Sequence, residues 1–548
     1  MFGKQSGFDY IFMTRSFWLE MQVPNALVLR KYKEYYGEEK QTIAESADAV
    51  AYLSAIIGRL QDKFVKRLQT DNPKNTIKDL YKILDEVWHF YFNQKEARHE
   101  LSKLRANSDI EDTFAANRNM ARNVIDATNL WLENAVLYQN NLSLPYDSKS
   151  FNVNQELFVE LCIYGSVSRA LSPVNMSRKF GDKALFYGVS VDIHAEEPLD
   201  ILKYHPVTYF DHLLTGNQNA IPITKYDLEH ADESEFGKGF ESEYGLSFLY
   251  AMRTFSTIEQ EMLKGGKYAF TVITKQQLIG WVNHYTDGFV DGSKFIDCFA
   301  LTKSKLKKHI RKTDPIIWIM GSNKYRHEIR PLILLDDDSI AISYAALEQA
   351  KHLWVSIFSN GGMAYSSSKD KLTAAIEKRN EELSDKLVEI LREKLRSHYT
   401  PGFDEIDVQY YRIFGEREYN YGDYDLVFYA PSEQELFLIE AKFFSDSLNN
   451  SGIISDHEKL FKEKGYYEHC RKRYDLVLAE PQKVKGFIGA TGEIKVHCLF
   501  VSSKPLEIEF QDDDEVVTFP CLSIFDDYLE GKLLPEVGDT PARPVHII

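Results

Sequence analysis

From about residue 42 to residue 141, apolar positions recur every three or four residues. Stretches such as ADAVAYLSAIIGRLQDKFVKRL and NTIKDLYKILDEVWHFYF carry the pattern most clearly. That spacing puts one apolar stripe along a helix, so residues 1–150 are expected to form a largely α-helical region. Its stripes pack on one another or receive a partner, giving the region a role in interaction or assembly. From 151 to 365 the pattern becomes mixed α/β. KYAFTVIT and PIIWIMGS are short, β-rich and bounded by turn residues, and RPLILLDDDSIAISYAAL predicts two strands around an acidic turn, leading into a helix. Paired glycines and a serine run in SNGGMAYSSSKDK, Ser359 to Lys371, mark a boundary or exposed loop. A long charged helix follows, closed by Thr400-Pro401-Gly402. No internal repeat or low-complexity tract interrupts this order.

The alternation changes character between Glu416 and Phe444. DLVFYA, the turn PSEQE and LFLIEAKFF predict a β-hairpin. Its second strand is continuously apolar from Leu436 to Ile439, as in a central strand covered on both faces, whereas a surface hairpin would alternate. Glu440 and Lys442 at its end share a face because side chains repeat every two residues, and Ala441 points the other way. A short hairpin returns the chain so that Asp425 lies near Glu440. Two carboxylates about 4 Å apart repel by roughly 4 kcal/mol at an effective dielectric near 20. A shared proton or a divalent cation relieves that repulsion. Hard oxygen ligands with open positions suit Mg²⁺ or Mn²⁺, which can engage a phosphate oxygen and activate water. A lysine two residues on can orient that water and offset developing negative charge.

With an acid opening one strand and Glu-x-Lys closing the next, GDYDLVFYA…LFLIEAKFF resembles the PD-(D/E)xK nuclease superfamily, over about Leu372 to Leu506. The resemblance implies a restriction-endonuclease-like α/β domain with a central mixed sheet over residues 371–548. It assigns catalysis to Asp425, Glu440 and Lys442, with Asp425 and Glu440 holding Mg²⁺ (or Mn²⁺) and Lys442 serving the attacking water. Asp423 takes an accessory acidic position. The helix before the hairpin offers Glu382, with Glu389 as the alternative third acid. After the hairpin, HEKLFKEKGYYEHCRKRYDLVLAE is expected to be one helix. Its Lys459, Lys462, Lys464, Arg471, Lys472 and Arg473 are candidate phosphate contacts, weighed evenly against a solvated face. VHCLFVSSK then reads as a further core strand, completing an αβββαβ order.

Composition narrows the partners. At 548 residues, two or three domains are expected. A net charge of -17 argues against a general DNA coat, so any contact with nucleic acid must come from a confined groove or a partner. No apolar run reaches the roughly 20 residues of a membrane span. Met1 to Phe17 lacks the organisation of a secretory signal, and five scattered cysteines read as reduced thiols, so the expected location is the cytoplasm. Lesser features carry no expected chemistry, the two basic clusters among them reading as solvated faces and the histidines as structural. They are the basic run Leu301 to Asp314, the cluster Lys324, Arg326 and Arg330, the histidines His205 and His212, and the acidic loop Asp512 to Glu515. His469 and Cys470 are neighbours on a helix and point apart, which rules out a nucleophile pair. No GxxxxGK[ST] loop is present, so no P-loop ATPase is expected. The expectation is a Mg²⁺-dependent endonuclease acting on DNA rather than RNA. Restriction or anti-phage defence is the implied setting, with control by a partner or by homo-oligomerisation through the N-terminal helices. The rival expectation is a binding or assembly protein with an inactive nuclease-like domain.

Overall fold

The computed structural model describes residues 17, 21–103, 108–147, 152–180, 188–193, 202–204, 225–263, 270–309, 325–361, 371–445, 456, 458–504, 506, 511–512, 514–533, 540–543 and 546–548. PIIWIMGS, His205, His212, Lys324 and most of the glycine–serine break lie outside these residues. The chain divides into two units, one of residues 1–208, 240–355 and 364–366 and one of residues 209–239, 356–363 and 367–548.

In the first unit the apolar periodicity produces long helices at Ser46–Thr70, Pro73–Lys103, Ser108–Leu137 and Gln155–Phe180. The expected strand–acidic turn–strand–helix element forms at Leu332–Leu334, Ser339–Ser343 and Tyr344–Asn360. Its strands join Phe270–Thr274 and Ala300–Leu301 in a four-stranded sheet. Helical and mixed regions share one core, in which Leu301, Ile333 and Ala341 pack with Leu84, Trp131 and Val167. Arg326 and Arg330 are not on a solvated face. Arg326 is buried and its Nε donates to Glu133 at 2.9 Å, while the buried Arg330 guanidinium lies over the rings of Tyr244 and Tyr325. Apolar flanking residues pull these stems inward, and a buried guanidinium then needs a carboxylate or a ring face. Among the described residues no helix is long and apolar enough to cross a membrane.

In the second unit a mixed sheet lies between helices. Helix α1 (Lys371–His398) runs into strand β1 (Phe403–Gln409), then α2 (Tyr410–Phe414), β2 (Asp423–Ala430) and β3 (Glu435–Lys442). Helices α3 (Tyr466–Ala479) and α4 (Pro481–Ile488) cross over to β4 (Lys495–Ser502), followed by β5 (Val517–Thr518), α5 (Phe525–Leu529) and β6 (His546–Ile547). The order is β5-β4-β3-β2-β1, with β6 beside β4. β3 pairs antiparallel with β2 and parallel with β4. Leu436 and Leu438 pack with Cys470, Tyr474 and Val477 of α3, whereas Phe437, Ile439 and Ala441 pack with Leu387 and Leu391 of α1. Alternate side chains of β3 thus serve two cores, which explains its unbroken apolar run. The downstream helix differs from expectation. Helical residues near 458–461 give way to a turn, and α3 begins afresh after Gly465. A Cβ on Gly465 would lie 2.6 Å from the Leu460 carbonyl and 2.7 Å from that of Lys462, so this close chain passage accepts only glycine.

Candidate active site

The hairpin register sets the site. β2 and β3 pair from Glu435–Ala430 to Ile439–Leu426 and then separate, leaving Asp425 and Glu440 at the opening end. By the two-residue period Glu440 and Lys442 fall on the Leu436–Leu438 face, beneath α3. Lys442 Nζ stands 2.7 Å from Glu440 Oε1 and 3.1 Å from Asp425 Oδ2. The Ala441 amide also donates to Asp425 Oδ2, at 2.6 Å. The three expected residues therefore meet around one ammonium group.

Arg473 has a different place from the one expected of it. It is buried and donates through Nη2 to Glu440 Oε2 and through Nη1 to the Tyr421 carbonyl at 3.0 Å. Its guanidinium also lies over the Tyr424 ring at 5.0 Å. An arginine so enclosed fixes a carboxylate and does not meet a phosphate directly. Gly422, in the GDYD motif, makes room for it. The φ of Gly422 is +76°, and an added Cβ would lie 3.1 Å from Arg473 Nη1.

The electrostatics follow from burial and pairing. Desolvation, reinforced by the charge of Glu440, pushes Asp425 up to about 6. Burial acts the same way on Glu440, but Arg473 and Lys442 outweigh it and hold Glu440 below the usual carboxylate range. Burial would lower Lys442, yet Glu440 and Asp425 outweigh that and hold it above an ordinary lysine. At neutral pH Lys442 is a fixed cation.

Of the accessory acids, Asp423 accepts from Gln409 Nε2 at 3.2 Å. Glu382 is turned to Arg379 at 2.6 Å and Glu389 faces Arg392 at 3.7 Å, so neither joins the centre. Sequence reasoning missed Asp407. The β1–β2 ladder pairs Ile406 with Leu426 and Val408 with Tyr424, which leaves Asp407 opposite Asp425. There the backbone of Asp407 takes φ +53°, a strained conformation for a residue other than glycine. Burial and the neighbouring Asp423 and Asp385 raise the Asp407 carboxyl, and Lys442 opposes them. The fold brings Asp385 of α1 into this group, so the helix supplies an acid one turn away from Glu382. No sequence signal marks Asp407, because its position depends on a backbone angle.

The candidate phosphate contacts separate. Arg471 pairs with Asp512 at 2.8 Å and Asp514 at 2.9 Å, giving the acidic loop a structural task. Lys472 pairs with Glu468, and Lys459 lies 3.6 Å from Asp456. Lys462 and Lys464 are exposed in the turn before α3. His469 stacks on Tyr419 while the buried Cys470 sits 3.5 Å from Cys498, so the two neighbours do point apart.

Among the described residues no group of three or more His, Cys, Asp or Glu side chains is arranged to hold a metal ion. Asp425 and Glu440 are the two carboxylates that would hold Mg²⁺. That ion keeps several waters and is usually bound through one or two carboxylates together with substrate oxygens. The pressure of Glu440 on Asp425 is the repulsion such a cation would relieve. Comparison of the chain with family models, curated proteins and solved structures finds no match.

Proposed function

We propose that the second unit is a metal-dependent nuclease of the PD-(D/E)xK kind, with a restriction-endonuclease-like fold, hydrolysing phosphodiester bonds. The observation that carries this reading is the convergence of Asp425, Glu440 and Lys442 at the opening end of one hairpin, beneath α3. Asp425 and Glu440 would hold Mg²⁺ or Mn²⁺, which supplies Lewis-acid polarisation of a phosphate oxygen when bound. Lys442, held protonated, contributes a fixed positive charge toward the phosphate oxygens as they gain charge. Lys442, within 3.1 Å of Asp425 and 2.7 Å of Glu440, is also placed to orient the attacking water beside those two carboxylates. Arg473 acts through Glu440, fixing its carboxylate in a single orientation.

We further propose control by a partner or by self-assembly through the helix-rich first unit, and a setting in restriction or anti-phage defence. The test is thermal melting with and without Mn²⁺. A ligand at a hundred times its Kd stabilises by about 2.7 kcal/mol, which raises the melting temperature by several degrees. We expect that rise in the wild type and its loss in Asp425→Ala. Equal melting with and without Mn²⁺ in a folded wild type would favour the rival reading, an inactive scaffold.

A further inference from the structure

Several partly buried rings of the second unit gather on the α3 side of the centre. Tyr466, His469 and Arg473 lie three and four residues apart, so they share one helix face. Arg473 reaches Glu440, and the Tyr466 ring lies 5.4 Å from Lys442 Nζ. Between them His469 stacks on Tyr419, with ring centroids 5.9 Å apart and planes 27° apart. Tyr421 meets Tyr419 at 4.9 Å and Tyr410 at 5.3 Å, and Tyr411 beyond it is 48% exposed. Tyr419, Tyr421, Tyr466 and His469 are each only partly buried. A run of rings therefore leads to the Asp425–Glu440–Lys442 centre.

Three of the cations beside this run are already matched, while Lys462 and Lys464 in the preceding turn stay exposed. Lys472 lies 4.4 Å over the Tyr419 ring and pairs with Glu468. Arg471 is bound to Asp512 and Asp514, and Arg417 to Glu480. Asp385, Asp407 and Asp423 add negative charge near Lys442. A duplex presents one phosphate charge per roughly 1.7 Å of axis and keeps its base faces stacked inside. Against cations already paired with acids, it gains little. An unpaired base laid on an aromatic ring gains roughly ten- to hundredfold in affinity, a term that a stacked duplex cannot collect.

Resting on the nuclease reading above, we infer that the substrate is a single-stranded nucleic acid whose unpaired bases stack on Tyr419, His469 and Tyr466 while its backbone reaches the acidic centre. DNA and RNA share the base faces that this surface recognises. The 2′-hydroxyl tells them apart, so both belong in the test.

The experiment is fluorescence anisotropy on the full chain with Ca²⁺ as the divalent ion. The probes are a fluorescein-labelled oligodeoxynucleotide, the same strand annealed to its complement, and the matching oligoribonucleotide. We expect a single strand to bind at least about tenfold tighter than the duplex. Preference for the DNA or the RNA strand supports the inference equally and identifies the sugar. Tyr419→Leu and Tyr466→Leu should each weaken single-strand binding by about tenfold, and Tyr419→Phe should restore it. Duplex bound as tightly as single strand overturns the inference, as do folded leucine variants that bind like wild type. Should the leucine variants fail to fold, the wild-type ratio of single strand to duplex decides alone. Cutting of both probes under Mg²⁺, measured in parallel, separates the two levels. Cutting with duplex preferred leaves the nuclease reading standing and removes this inference. Tight single-strand binding without cutting does the reverse for the catalytic reading.

Discussion

Arg473 and Lys442 divide Glu440 between them, one on each carboxylate oxygen. Breaking a buried ion pair by removing one partner costs about 3–5 kcal/mol, because the other charge stays buried. Arg473→Gln should therefore lower the melting temperature, but stability is the less specific readout. Arg473 is a main reason that Glu440 stays below the usual carboxylate range. Without it the Glu440 pKa rises, and the acidic limb of the pH–rate profile for cutting should move to higher pH. Arg473→Lys, which keeps the charge, should move it less. An unchanged limb in a folded Arg473→Gln protein would show that the arginine only packs. At this scale the sequence was partly legible. Asp425, Glu440 and Lys442 are marked by spacing, since a strand period and a hairpin turn are enough to bring them together. Asp407 and Arg473 were not, because one depends on a left-handed backbone angle and the other on the rotational phase of a helix.

That phase is set at the element scale, by where α3 begins. An uninterrupted helix from 457 would carry its basic residues round at a fixed angular step. Gly465 breaks the run, and the restarted helix presents Tyr466, His469 and Arg473 to the centre. Gly465→Ala would push a methyl group against three backbone carbonyls, those of Lys459, Leu460 and Lys462. Overpacking of this sort costs about 1–3 kcal/mol. The expected outcome is a modest fall in melting temperature with a disproportionate loss of cutting, as the ring-bearing face is displaced. Equal loss in Gly465→Ala and in a core cavity variant of matched stability, such as Leu387→Ala on α1, would refute it. The hairpin itself was legible because β3 breaks the alternation of a surface strand. The break before α3 was not, since the flanking residues have helical patterns on both sides.

At the scale of the whole molecule, regions that differ in pattern share a core in the first unit, and a buried polar group sits within it. His327 Nδ1 lies 2.7 Å from Asn129 Oδ1, its Nε2 lies 3.0 Å from the Tyr81 hydroxyl, and Glu133 takes its backbone amide at 2.9 Å. Burial, with Arg326 beside it, lowers His327 to about 3. The folded value lies below the ordinary 6.5, so the stability tied to neutral His327 is present above pH 6.5 and is lost as pH falls toward 3. Urea denaturation should find the wild type weakened by on the order of 2 kcal/mol between pH 7 and pH 5 through this group. His327→Gln should show a smaller loss over the same interval, and an identical loss would remove His327 from the account. Sequence patterns could not show this group, because its members come from helices and a loop far apart in the chain.

Cleavage tests most directly the proposal that Asp425, Glu440 and Lys442 cut phosphodiester bonds. Labelled single-stranded DNA, single-stranded RNA and plasmid are incubated with the full chain and Mg²⁺ or Mn²⁺, comparing wild type with Glu440→Ala and Lys442→Ala. The account predicts metal-dependent cutting that both substitutions abolish, in proteins that still melt cooperatively. Cutting that survives both substitutions would contradict it.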